Sequence, residues 1–381
     1  MQVKRERLAD IFTQLCETDS PSRHEGRVAE LLKGILTRLG PAEVVEDDSA
    51  AVTGADCGNL IFRFDGSLDQ EPIFFSCHMD TVEPARGVKV KRSGDLFTSA
   101  GETILGSDDK SGLAACIEMM RVLRENDRPH RPLELVITTC EEIGLVGAKA
   151  LDPQLIQARE GYALDSSGFA KVITHAPALN RLTITVGGVA SHAGLHPEWG
   201  INAITVAARA LAQCPCGRLD EETTVNFGTI RGGVAANIVP EKVVIEGEVR
   251  SHSATRLEEV TQEIRTTFET VIAQWQDPTG SAKGCPGVEM EVYQDFPLMA
   301  LDRESDLLRR VDQAATAVDL EMSYEKAGGG SDANIFTGHG LPTAIIATGM
   351  TNVHSTEEQV ELDDMVNLTR LLLALATETS C

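Results

Sequence analysis

The 381-residue sequence predicts an α/β fold, a mostly parallel sheet flanked by helices, with an α+β block inserted into it. Three observations carry this reading. Short apolar runs at 59–64, 73–77, 133–139 and 162–164 are strand-like and alternate with helical spacing such as that at 110–124, the pattern of a parallel sheet. Past residue 179 the texture changes: 182–186, 243–249 and 288–293 alternate like half-exposed strands, with helical stretches at 202–212 and 256–275. Two helices on one face of an antiparallel sheet account for that block. From residue 304 the first texture returns and ends in the apolar run 343–348. The expected division is 1–178 with 295–381 as one domain and 179–294 as the inserted one, in keeping with a chain longer than one core usually organises.

Ahead of the first strand, the segment to residue 16 has the spacing of an amphipathic helix. Ser20-Pro21-Ser22 reads as a cap, and a second helix is expected through Leu39. A net charge of −24 argues against nucleic acid and anionic membranes as partners, since both select a basic surface. Nine cysteines, an odd number without a CxxC pair, suit a reducing compartment. No apolar run approaches a membrane span or a signal-peptide core, so the expected location is the cytoplasm.

The chemistry-bearing residues share one placement. His78 and Asp80 follow the run 73–77, Glu141 and Glu142 follow 133–139, Asp165 follows 162–164, and His354 lies beyond 343–348. Asp108 and Asp109 open the helix at 110–124. Singly, each has an ordinary account: Asp108 or Asp109 as a helix cap, a histidine as a hydrogen-bonded surface group, adjacent glutamates as solvated charges. If the strands are parallel neighbours, all of them meet at the carboxyl edge of the sheet. Several carboxylates gathered there repel one another unless cations neutralise them. Two imidazoles among them are a donor set for paired zinc, or for manganese or cobalt.

The segments SCHMDTVEP, GSDDKSGLAA, TTCEEIGLVGA, ALDSSG, SHAG, GGGSDAN and MTNVHSTEEQV resemble, in order, those of the M20 family of zinc-dependent exopeptidases, and within it the peptidase T branch. The resemblance implies that His78 and Asp165 bind one zinc ion, that Glu142 and His354 bind a second, and that Asp108 bridges the two. It implies Glu141 as general base, Asp80 as the group orienting His78, and a cis peptide bond between Asp108 and Asp109. In the inserted domain it makes His192, Asn237 and Arg250 substrate contacts, the arginine pairing its planar fork with a carboxylate. The expected enzyme removes the N-terminal residue of short peptides, tripeptides in particular, and the inserted domain acts as a lid and as the interface of a homodimer. The wider family also includes carboxypeptidases, dipeptidases and deacylases of N-acyl amino acids, which share the same attack on an amide. A non-catalytic peptide-binding relative would have lost the base or a ligand, and this sequence keeps both.

Overall fold

A computed structural model describes residues 2–377. The chain divides into two compact units: Pro177–Leu298, and the segments on either side of it, up to Ala176 and from Met299 onward. No described helix is long and apolar enough to cross a membrane.

The larger unit is built on a nine-stranded sheet. Its centre is a run of four strands, Leu133–Thr138, Ile73–His78, Gly161–Ala163 and Thr343–Ile346, all parallel. Leu60–Phe64 and Glu43–Glu46 extend it antiparallel on one side, and Lys171–Ala176 with Met299–Ala300 on the other. The near-continuous apolar character of 73–77 and 133–138 follows from burial on both faces: every residue of these two strands is buried. Alternation assigns the faces. Tyr162, Ala344 and Ile346 enter the main core with helices Arg5–Cys16, Ser107–Glu125 and Leu362–Thr377. Ala163 and Ile345 point the other way and pack with Ala333 of helix Asp332–Gly338. Phe75 stacks on Tyr162 with ring centroids 5.8 Å apart, and the Tyr162 hydroxyl donates to the Leu307 carbonyl at 3.0 Å.

Helix Ser107–Glu125 is buried along most of its length. Its first turn is irregular: Asp108 and Asp109 have non-helical backbone angles, so regular helix starts at Lys110. Gly112 lets this helix lie against the chain at residue 164, where a Cβ would come within 2.9 Å of the Leu164 carbonyl oxygen.

Ser20 and Ser22 do not cap the second helix, contrary to the sequence expectation. Helix Gly26–Leu36 starts after Glu25 without a side-chain cap. Ser20 instead donates to the Met79 carbonyl at 2.8 Å and Ser22 to the Asp80 carboxylate at 2.6 Å. Polar side chains there are drawn to buried acceptors at the sheet edge, which must be satisfied.

The smaller unit holds a five-stranded antiparallel sheet in the order Gly217–Arg218, Thr223–Gly232, Lys242–Ser251, Ala178–Gly187, Gly287–Phe296. Leu182, Ile184 and Val186, at every second position, meet Val206 and Ala210 of helix Ala203–Leu211 and Val260, Ile264 and Phe268 of helix Ala254–Ala273.

Candidate metal centre

All four parallel strands end at one edge, and the chain beyond those ends carries the side chains singled out in the sequence. His78 closes its strand; Glu141 and Glu142 follow Leu133–Thr138; Asp165 follows Gly161–Ala163; His354 lies in the loop beyond Thr343–Ile346. Asp108 comes from the irregular first turn of helix Ser107–Glu125, with a cis bond to Asp109.

The Asp108 carboxylate lies between two imidazoles. Its Oδ1 is 3.0 Å from Nε2 of His78 and its Oδ2 is 3.3 Å from Nε2 of His354. Each imidazole also faces a carboxylate of its own: Asp165 Oδ1 stands 3.9 Å from His78 Nε2, and Glu142 Oε2 stands 3.0 Å from His354 Nε2. Donor atoms of His78, Asp108 and Glu142 lie within 4.8 Å of one another. His78 is 2% exposed at its side chain and His354 is 52% exposed, so one imidazole is enclosed and the other open, while the carboxylates facing them, Asp165 and Glu142, are largely buried.

Asp80 reaches both sides of the cluster. Its backbone carbonyl is 3.0 Å from His78 Nδ1, and its Oδ1 is 3.4 Å from the same atom. Its carboxylate also accepts the backbone N–H of Glu141 at 2.9 Å and of Glu142 at 3.2 Å. The turn carrying the two glutamates starts at Cys140, which holds a left-handed conformation with φ at 54° and donates its N–H to Glu25 at 3.0 Å. His354 is left-handed as well, with φ at 60°. Such angles are uncommon for residues other than glycine and persist where surrounding structure enforces them, often at functional sites.

Electrostatics describe a cluster short of positive charge. Burial, reinforced by the Asp165 carboxylate, pushes Glu141 well above the ordinary glutamate range. Burial and neighbouring Asp108 do the same to Asp165. Asp332 rises to about 6 through burial, against the lowering effect of a hydrogen bond from Thr138. Burial also works on Asp108, but the hydrogen bonds of His354 and His78 prevail and hold it well below its usual value. His354, bonded to Asp108 and Glu142, is raised to about 10. Buried carboxylates around two imidazoles, with one carboxylate presenting a different oxygen to each, fit a pair of divalent cations. His78, Asp165 and Asp108 would hold one, and Glu142, His354 and Asp108 the other.

Three further residues, absent from the sequence-based set, take part in this region. Asp332 accepts the Thr138 hydroxyl at 2.5 Å at the start of a helix capped by Ser331. Lys110, buried, donates to Ser20 at 2.9 Å and to the Met79 carbonyl. Glu358 accepts the N–H of Asp108 at 3.0 Å. The sequence signal for all three was their place inside the motifs GGGSDAN, GSDDKSGLAA and MTNVHSTEEQV.

Within the smaller unit, His192 and Asn237 are neighbours. The Ala193 N–H donates to the Asn237 carbonyl at 2.9 Å, and residues 192 and 238 form an antiparallel bridge. His192 Nδ1 accepts the N–H groups of Gly194 and Leu195, each at 3.2 Å, so the ring proton sits on Nε2. Arg250 is not with them. It lies in strand Lys242–Ser251 opposite Leu179, and its guanidinium pairs with Glu248 at 2.9 Å. The eight residue steps from Lys242 to Arg250 span roughly 26 Å of strand, and His192 lies beyond the Lys242 end.

The sequence pattern of Peptidase family M20/M25/M40 matches residues 74–378. A Bacillus subtilis (strain 168) protein described as uncharacterized, YqjE, is 38% identical over 380 residues, covering 99% of this chain and all of its own length. Among solved structures, the aminopeptidase PepT of Bacillus cereus ATCC 10987 superposes with a TM-score of 0.90 at 38% identity, covering 98% of both chains. A tripeptidase from Staphylococcus aureus subsp. aureus Mu50 gives 0.90 at 31% identity, covering 99% of both. With the family pattern running through the segments that form the cluster, the chain belongs to peptidase family M20/M25/M40, in its peptidase T-like branch of metal-dependent exopeptidases.

Proposed function

We propose that this exopeptidase is an aminopeptidase that removes the first residue of short peptides, tripeptides above all, at a centre of two zinc ions. The observation that carries the two-cation reading is the Asp108 carboxylate, with one oxygen toward His78 and the other toward His354. In this reading His78 and Asp165 hold one ion, Glu142 and His354 the other, and Asp108 both; manganese or cobalt suits the same donors. Cations held there would supply Lewis acidity to the scissile carbonyl and to the attacking water. Glu141 takes the proton of the attacking water and delivers it to the leaving nitrogen. Asp80 fixes the direction of the His78 ring and, through the backbone, of both glutamates.

The names of the Bacillus cereus and Staphylococcus aureus structures, aminopeptidase and tripeptidase, support the substrate class. His192 offers Nε2–H to the oxygen that gains charge during attack, Asn237 beside it holds the peptide, and Arg250 exchanges Glu248 for a substrate carboxylate. An extended tripeptide spans roughly 10 Å, so one copy of the smaller unit cannot offer both His192 and Arg250 to one substrate. That separation supports a homodimer in which the two groups come from different copies. The reducing pattern of the cysteines supports a cytoplasmic location.

Product analysis by mass spectrometry tests the substrate assignment. Zinc-loaded protein is incubated with unblocked tripeptides, dipeptides, N-blocked peptides and N-acyl amino acids, beside a chelated control. Release of the first residue from unblocked tripeptides, abolished by chelation, is the expected result. Cleavage confined to blocked peptides or acyl amino acids would overturn the aminopeptidase assignment, and no metal-dependent cleavage would overturn the reading as a whole.

A further inference from the structure

We infer that Glu358 is a positioning residue that holds the loop bearing His354 in register with Asp108, so that the second cation depends on it more than the first, which keeps His78 and Asp165. This rests on the two-cation reading above. Glu358 is 1% exposed and its two oxygens accept four hydrogen bonds, all from the segment that ends in Asp108. Oε2 takes the N–H of Leu105 at 2.9 Å and of Gly106 at 2.8 Å. Oε1 takes the Ser107 hydroxyl at 2.6 Å and the Asp108 N–H at 3.0 Å. Successive N–H groups converging ahead of a helix form a concave anion seat, and here the anion is supplied by the chain itself. Gly106 makes the seat possible with φ at 79°, a conformation that side-chain-bearing residues seldom adopt.

Glu358 follows His354 by four residues. One carboxylate therefore ties the loop that bears His354 to the turn that bears Asp108, across 250 positions of sequence. The two halves of the centre differ in how else they are held. His78 ends a strand paired on both sides, its ring is backed by Asp80, and Asp165 follows a strand of the same sheet. His354 is half-exposed in the loop 352–358, which is joined to the rest by the bridge between Thr351 and Gln359, by Glu358 and by the contacts of the His354 ring with Asp108 and Glu142. Removing the Glu358 charge loosens the backbone tie between the Asp108 turn and the His354 loop, while His78 and Asp165 keep their supports.

The test measures cation stoichiometry and stepwise affinity, with zinc as the probe and a chromophoric chelator as competitor, on wild type, Glu358→Gln and Ser107→Ala. Glutamine keeps the shape but sets an amide donor against N–H groups; Ser107→Ala removes one of the four bonds and spares the fold. Wild type is expected to hold two ions per chain. Glu358→Gln should bind the second ion roughly 10–100-fold more weakly and the first, through Asp108, by a clearly smaller factor, with Ser107→Ala shifting the second ion less than Glu358→Gln does. Should Glu358→Gln fail to fold, the weaker second ion in Ser107→Ala is the supporting result. Wild-type affinity for both ions in the variants, or equal loss of both, would overturn the inference alone. A wild type that holds fewer than two ions would overturn the two-cation reading and the inference with it.

Discussion

Asp80 accepts the backbone N–H of Glu141 at 2.9 Å while its own carbonyl meets the His78 ring at 3.0 Å, so one residue sets the direction of an imidazole and of the neighbouring glutamate turn. Asp80→Ala should therefore lower turnover more than loss of a single ring contact would. A fall of roughly 10–100-fold is expected, the range for removing a group that orients metal ligands. Steady-state kinetics with parallel metal analysis checks this; wild-type kcat in the variant would refute the role.

Glu141→Ala should separate binding from chemistry. Glu141 is outside both proposed donor sets, so the variant is expected to keep two ions and lose about 10²–10⁴-fold in kcat. Metal content by mass spectrometry and tripeptide turnover together decide it. A variant that lost its ions would make Glu141 a ligand rather than a base.

The metal-free protein should lose thermal stability as pH rises from about 4 toward 10. Asp332 is raised to about 6 from its model-peptide value of 3.8, so its contribution is full below the lower value and fades through the higher one. His354, raised from 6.5 to about 10 by Asp108 and Glu142, contributes fully below 6.5 and loses that contribution as pH climbs through 10. Both signs agree. Cations replace these protons, so the metal-loaded protein should show a flatter profile, and zinc uptake should release protons. Scanning Tm against pH with and without a chelator tests it; a metal-free Tm that rose between pH 6 and 9 would contradict the assignment.

Gly112→Ala should push helix Ser107–Glu125 away from the strand end that leads to Asp165. The new methyl would stand 2.9 Å from the Leu164 backbone oxygen and 2.4 Å from Asp109 Oδ1. Overpacking of this kind costs roughly 1–3 kcal/mol. Denaturant unfolding measures that cost, and zinc titration should show weaker binding at the His78 and Asp165 half of the centre, the reverse of the Glu358 pattern.

Much of this arrangement was legible because burial on both faces leaves long apolar runs, and the polar residue that ends such a run marks the sheet edge. His78, after Ile73-Phe74-Phe75-Ser76-Cys77, is the plainest case. Strand Thr223–Gly232 is not legible in the sequence because it is largely exposed past Val225, so little hydrophobic alternation betrays it. Glu358 lay in the polar run Glu357-Glu358-Gln359, where nothing local separates a buried carboxylate from a solvated one. Its partners are 250 residues away, and only the fold brings them together. From the sequence Asp80 serves one ring; its bonds to the turn at 141–142 depend on strand order, which spacing does not encode.

The return of the chain from Met299 to the larger unit has a consequence for synthesis. Asp108 leaves the ribosome some 250 residues ahead of Glu358, with the whole of Pro177–Leu298 translated in between. A nascent or prematurely terminated chain carries His78, Asp165 and the glutamate pair but lacks His354 and the carboxylate that seats Asp108. On the proposed two-cation reading, hydrolytic competence waits until synthesis has passed Glu358.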